Sequence, residues 1–356
     1  MAYTTIDDPS AYFQIALWTG NGSTQSITND GNSDLQPDFI WTKRRTADGQ
    51  NHHVVDSSRG STITLVPNDT DTDATKSNGI TAFNSDGFSV GTDANFNGNT
   101  HPYVGWQWKA NGGTRTTFSE SGDNPAGGHQ ANTTSGFSII DYTGTGANGT
   151  FAHGLNSAPT WWVVKPRTNV SDNQWFVCHQ GLASDYATDF IHFDTTGATQ
   201  DNALMWNDTA PTSSVITVGS KPGTNNDDGG FICYAWHDVQ GFSKFGKYKG
   251  NGLDGGPFIY TGFNPAWMML KRTDNARPWF IFDNKRSPRN VMKIRLKADS
   301  SVGDDTSNDN RIDFVSNGFK IRDDALEMAA DGGSYIYMAF AEHPFVSSAG
   351  APVTAR

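Results

Sequence analysis

The chain has 356 residues, with 37 acidic and 26 basic side chains and a formal net charge of −11. With no basic run, that balance argues against a nucleic-acid partner gripped by its phosphates. Only 18% of residues are charged, which leaves a neutral-polar surface of Gly, Asn, Asp, Ser and Thr, and no apolar stretch is long enough for membrane insertion.

From the N-terminus, MAYTTIDDPSAYFQ shows neither the basic nor the apolar region of a secretory leader. An opening strand is then expected at YFQIALW from Tyr12, followed by the Gly-rich turn WTGNG at Trp18. A proline mark at Pro37 precedes an apolar run that ends at Lys43, and HHVVD at His52 reads as the next strand. FNSDGF at Phe83 is a hairpin, and the aromatic run YVGWQW from Tyr103 closes the unit.

The same passage is written twice more. GFSIIDY from Gly136, YTGTG at Tyr142, Pro159, Lys165 and FICYAW at Phe231 form the second version. GFSKFGKY from Gly241, YKGNG at Tyr248, Pro265, Lys271 and YIYMAF at Tyr335 form the third. A repeat of this length can close its own core. The expectation is therefore an all-β chain of three related antiparallel sandwich modules of jelly-roll-like type, at 1–112, 136–238 and 239–356. The apolar-poor segment 113–135 reads as a linker, giving a loose first junction and a tight second one.

The proline fixes the direction from which the chain enters the next strand, and the glycines admit positive φ. Bulky groups at both parities of the closing runs suit strands covered on both faces. Helix is expected only at 323–330, DDALEMAA, as a two-turn connector. The second repeat has SVITVGS at Ser214 in place of the hairpin.

Chemistry is sparse. There is no G-x-S-x-G elbow, H-E-x-x-H or P-loop, and His153 reads as a loop residue. Of His52 and His53 at most one is expected to face inward. Cys178 and Cys233 read as buried thiols, with a disulfide as the alternative. The acidic loops NDTDTD at Asn68 and GDDTSNDN at Gly303 read as solvated loops, with structural calcium as the alternative. Lys43, Lys165 and Lys271, beside Arg45, Arg167 and Arg272, are expected to cap a strand or pair with an acid of their own repeat. One of Trp161 and Trp162 is expected outside its own module's core. No catalytic, cofactor or metal residue is assigned.

The ordered series WTGNGSTQSI at Trp18, QPDFIWTKRR at Gln36, DSSRG at Asp56, SDGFSVG at Ser85, GWQWKA at Gly105, SGFSIIDYTGTG at Ser135 and HGLNSAP at His153 resembles structural proteins of tailed phages and marine viruses, of the tail-fibre or tail-associated type. The resemblance implies a non-enzymatic virion component, partnered by other virion proteins, homo-oligomeric with a trimer as one form, and in contact with the host surface. A carbohydrate-binding module array, with a host surface glycan as partner, and a capsid decoration protein are the alternatives. A polysaccharide depolymerase is a third reading.

Overall fold

Short runs of aromatic and β-branched residues between Gly/Asn/Asp turns favour strands over helices. The computed structural model describes residues 2–46, 49–307, 311–324 and 326–353. With 41% strand against 3% helix, the chain is all-β and built of several antiparallel sheets.

One strand order occurs three times: opening, closing, lysine-bearing, following. In the first module these strands are Phe13–Thr19, Pro102–Trp108, Phe39–Arg44 and His53–Asp56. In the second they are Phe137–Thr143, Gly230–Trp236, Trp161–Pro166 and Phe176–His179, and in the third Ser243–Lys249, Ser334–Pro344, Phe263–Arg272 and Trp279–Asp283. The closing strand is hydrogen-bonded on both edges, and its side chains are buried at both parities because each face of its sheet is covered by a core. Pro265, which lies inside its strand rather than before it, sits at a β-bulge where no ladder donor is required.

Each large sheet faces a small one. These are Gln25–Ile27, Gly87–Val90 and Ile80–Asn84 in the first module, and Gly149–Ala152 with Val215–Val218 in the second. In the third they are Phe258–Tyr260, Gly318–Ile321 and Ile312–Val315. The hairpin at Phe83 and its counterpart at Phe314 form as expected. Separate clusters fill the spaces between layers, built around Phe88, Ile216 and Phe319.

The opposite faces of all three large sheets meet in one further core. It holds eight tryptophans: Trp41, Trp106, Trp108, Trp161, Trp175, Trp236, Trp267 and Trp279. A buried aromatic ring removes about 150–250 Å² from water, worth roughly 4–6 kcal/mol at 25 cal/mol/Å². Exposed ion pairs contribute about 0–1 kcal/mol, so this shared core is the principal bond between modules. It explains Trp161 and Trp162, which are both buried on opposite faces of one strand, the first in the shared core and the second in the module's own. The expectation that one would lie outside its module's core is thus met by a neighbour's covering rather than by solvent.

The expected linker 113–135 is structured. Thr116–Phe118 and Ala126–Asn132 extend the second module's large sheet. Gly127 is why so Gly-rich a segment can do this, since a Cβ there would lie 2.1 Å from the Asp141 carbonyl oxygen. The expected helix at 323–330 is absent from its described residues, and 326–329 form a turn instead, while residue 325 lies outside the described set. Single helical turns occur at Ala94–Asn97 and Pro222–Asn225. The three turns are equivalent: Trp18 Nε1, Tyr142 Oη and Tyr248 Oη each donate to a carbonyl there, of Phe96, Thr224 and Met328. Tertiary capping at this site supports a single turn, too short to propagate as a helix.

The Gly-x-Gly turns have two distinct requirements. At Gly20, Gly144 and Gly250 a Cβ would come within 2.1–2.2 Å of a carbonyl oxygen of that same turn region. At Gly22, Gly146 and Gly252 φ is +69°, +70° and +65°. The first glycine is needed for close approach and the second for its backbone angle.

Candidate functional site

The triplicated lysines are buried, and each crosses to another module. Lys43 Nζ donates to Ser301 O of the third module at 3.1 Å. Lys165 Nζ donates to Thr70 O of the first at 3.0 Å, and Lys271 Nζ to Thr196 O and Gly197 O of the second at 3.0 and 2.8 Å. The expectation of capping or acid pairing inside one repeat is met in part, since the three lysines also donate to Arg44 O, Asn173 O and Arg277 O of their own modules and Arg272 pairs with Asp274. What it missed is that the same ammonium groups satisfy carbonyls of the neighbouring module, where unpaired oxygens would be costly. Burial lowers Lys165 and Lys271 to about 8, opposed by Asp194 and Asp299 respectively. Backbone bonds close the same cycle, from Asp304 N to Arg45 O, Asp73 N to Arg167 O and Thr199 N to Thr273 O.

The acidic loops belong to these junctions. Asp73 binds Arg59 and Arg167, Asp304 binds Arg45 and Arg286, and Asp305 binds Arg295. Those carboxylates are matched to guanidinium groups; residues 308–310 of the second loop lie outside the described set. Among the described residues there is no group of three or more His, Cys, Asp or Glu placed to hold a metal ion.

Tryptophan indoles contribute further crossings. Trp175 Nε1 donates to Val66 O at 2.9 Å and Trp279 Nε1 to His192 O at 2.9 Å. In the first module the equivalent position is His52, whose ring meets Lys297 O at 3.0 Å. Trp41 Nε1 donates to its Nδ1 at 2.9 Å, which places the His52 proton on Nε2. His53 packs on Phe96 with ring centroids 4.7 Å apart. Both histidines are buried, contrary to the expectation of one solvated ring, because this strand is covered by two layers. Burial depresses both, His53 to about 4. His153, also buried, is lowered to about 4 by burial and accepts from Leu155 N at 3.1 Å. Cys178 and Cys233 are free, buried thiols.

A small cavity of about 30 Å³ lies in the shared core among Trp41, Trp108, Trp161, Trp236 and Trp267, and its wall exposes no polar atom. A cavity of that kind stays dry.

A concave polar site lies between the third and first modules, where a cleft of about 180 Å³ opens over Phe13 and Ile15. Asp8, Asp30, Asn284, Lys285, Glu342 and His343 surround it. It exists because this junction lacks what fills the others. Ser57 and Ser58 follow the strand His53–Asp56 and receive Gln130 Nε2 at 2.8 and 2.7 Å. At the next junction, Gln180 Nε2 reaches Phe245 O at 3.3 Å. The equivalent pair Asn284–Lys285 faces the cleft, and only Lys285 bridges it, to both oxygens of Asp30 at 2.7 Å.

The carboxylates here already have partners. Asp8 accepts from Ser10 and Ser33, and Glu342 accepts from Asn264 Nδ2 at 3.0 Å. Asn284 Oδ1 is buried behind the cleft wall without a partner. The cleft brings together groups suited to polar binding, with no hydroxyl or thiol nucleophile hydrogen-bonded to a histidine. The lack of correspondence between Asn284–Lys285, Ser57–Ser58 and Gln180–Gly181 was visible in the aligned repeats, but only the cross-module packing gives it meaning.

A family described as a domain of unknown function, DUF7483, has a model that matches residues 8–344, and the chain belongs to that family. No curated protein and no solved structure gives a significant match.

Proposed function

We propose that this protein is a non-enzymatic structural component of a phage virion, associated with the tail or its fibres and placed to contact the host surface. The observation that carries the reading is the use made of the triplicated residues. The lysines, the Gly-x-Gly turns and the core tryptophans are committed to joining modules and shaping turns, and none converges on a reaction centre. A fold that spends its recurring residues on internal cohesion suits a part that must persist in an assembled particle. The ordered motif series from Trp18 to Pro159 supports the phage assignment. The matching strand orders support three related sandwiches of jelly-roll-like type. Other virion proteins are the partners in this reading, and self-association, including a trimer, belongs to it.

Mass spectrometry of purified particles should find the chain at stoichiometric copy number, and immunogold labelling should place it on the tail. Its absence from purified virions would overturn the proposal.

A further inference from the structure

The three small sheets offer three equivalent outer faces, and one differs from the others. Ile27, Phe151 and Ile259 point inward from corresponding strands, opposite Phe88, Ile216 and Phe319. The residues flanking each point the other way, because side chains alternate along a strand. In the first module they are Ser26 and Thr28, and in the second Thr150 and Ala152. In the third they are Phe258 and Tyr260, 48% and 54% exposed. Two large rings thus stand in solvent where the sister modules carry small residues.

These rings are held in a set environment. Tyr3 Oη lies 2.9 Å from Tyr260 Oη and 2.9 Å from Gly262 O, which ties the Tyr260 hydroxyl to the N-terminal segment. Gly318 pairs with Tyr260, and a Cβ there would strike Ile259 O at 2.1 Å and meet the Phe258 ring at 3.2 Å. The glycine keeps the surface beside the rings flat. Lys320 stands opposite Phe258, and Asp313 stands beyond Lys320 in the same row. Arg322 Nε lies 3.5 Å from Asp313. The rings are therefore edged by a cation and a carboxylate.

Half-exposed rings of this size present roughly 200 Å² together, far below the ~800 Å² per partner of a stable protein interface. The occupant is small, with one face of C–H groups to lie on the rings and hydroxyls at its edge for the charged side chains. Alternate residues of a strand stand roughly 6.5–7 Å apart, a spacing that suits neighbouring units of an oligosaccharide.

We propose that the outer face of the third module's small sheet is a saccharide-binding site. Phe258 and Tyr260 stack against successive sugar units, while Lys320 and Asp313 hydrogen-bond their hydroxyls. This goes beyond the structural role, which requires no ligand, so absence from virions and absence of glycan binding are separate failures.

The test uses the full chain on an array of immobilised oligosaccharides and bacterial surface polysaccharides, followed by calorimetry with the strongest oligosaccharide. Phe258→Ser with Tyr260→Thr installs the first module's residues and should weaken binding roughly tenfold or more through loss of two stacking contacts. Thr150→Ala, on the second module's face, should leave affinity unchanged. In the unsubstituted protein, nitration of Tyr260 by tetranitromethane should be slowed by that oligosaccharide, a readout that needs no variant to fold. Binding to no glycan on the array, affinity that survives the double substitution in a folded variant, or Tyr260 nitration indifferent to the bound oligosaccharide would each overturn the proposal.

Discussion

Two of the three module junctions are sealed by a buried ion pair and the third by apolar groups. At the first, Asp56 and Arg59 pair at 2.6 Å, and Tyr234 Oη of the second module donates to Asp56 at 2.7 Å. Between the third and first modules, Asp283 and Arg286 pair at 2.6 Å, and Trp106 Nε1 donates to Asp283 at 3.0 Å. Between the second and third, the equivalents are His179, Leu182 and Met338; His179 meets the Tyr337 carbonyl across the junction at 3.4 Å and accepts from Gly181 N of its own module at 2.7 Å. Acid, base and donor have changed together. A buried charge is tolerable when each member of its network is satisfied, and an apolar replacement is tolerable when the whole network goes. Partial replacement leaves a desolvated charge, so the three positions behave as one unit.

The largest effect should come from breaking that unit. Arg59→Leu leaves Asp56 buried without its cation and should cost about 3–5 kcal/mol in urea unfolding. Adding Asp56→His and Tyr234→Met copies the apolar junction and should recover more than half of that loss. If the triple variant is no more stable than Arg59→Leu, the three positions are not exchangeable as a set.

A second exchange is one of volume. In the first module Trp41 and His52 stand where the second has Val163 and Trp175 and the third Met269 and Trp279. One large ring is supplied from either strand, never from both. His52→Trp alone should overpack the core and cost about 1–3 kcal/mol. Combined with Trp41→Val it should cost clearly less, as the difference between the two unfolding curves would show.

The framework was readable from the chain because it rests on local requirements. Prolines, positive-φ glycines and β-rich runs act within a few residues, and so the strands and the hairpin at Phe83 appear where the pattern puts them. The junctions were not readable, because they join residues far apart in sequence, as Lys165 does with Thr70 and Trp279 with His192. A lysine ending a strand looks the same whether it caps its own module or the next. The strand Ala126–Asn132 was obscured by composition, since its glycines resemble those of a linker until a backbone is seen packed against them. The cleft and the aromatic face were hidden differently: each is a departure from the repeat, and its surroundings come from other modules or from the N-terminal segment.

The smallest predicted effect concerns pH. His179 is fully buried, and burial lowers it to about 3. An unfolded histidine titrates near 6.5, so between these values the unfolded chain binds the proton and the folded chain does not. The stability due to a neutral His179 is complete above about 6.5 and is lost as pH falls, by about 1.4 kcal/mol per pH unit, or about 2 kcal/mol by pH 5. His179→Gln cannot titrate and should flatten the dependence of unfolding free energy on pH by that share. His52, His53 and His153 act in the same direction from other sites, so the variant keeps part of its acid sensitivity. An unchanged slope between pH 7.5 and 5 would mean that His179 takes up its proton in the folded chain over the same range as in the unfolded one, and would overturn the claim that burial holds it neutral.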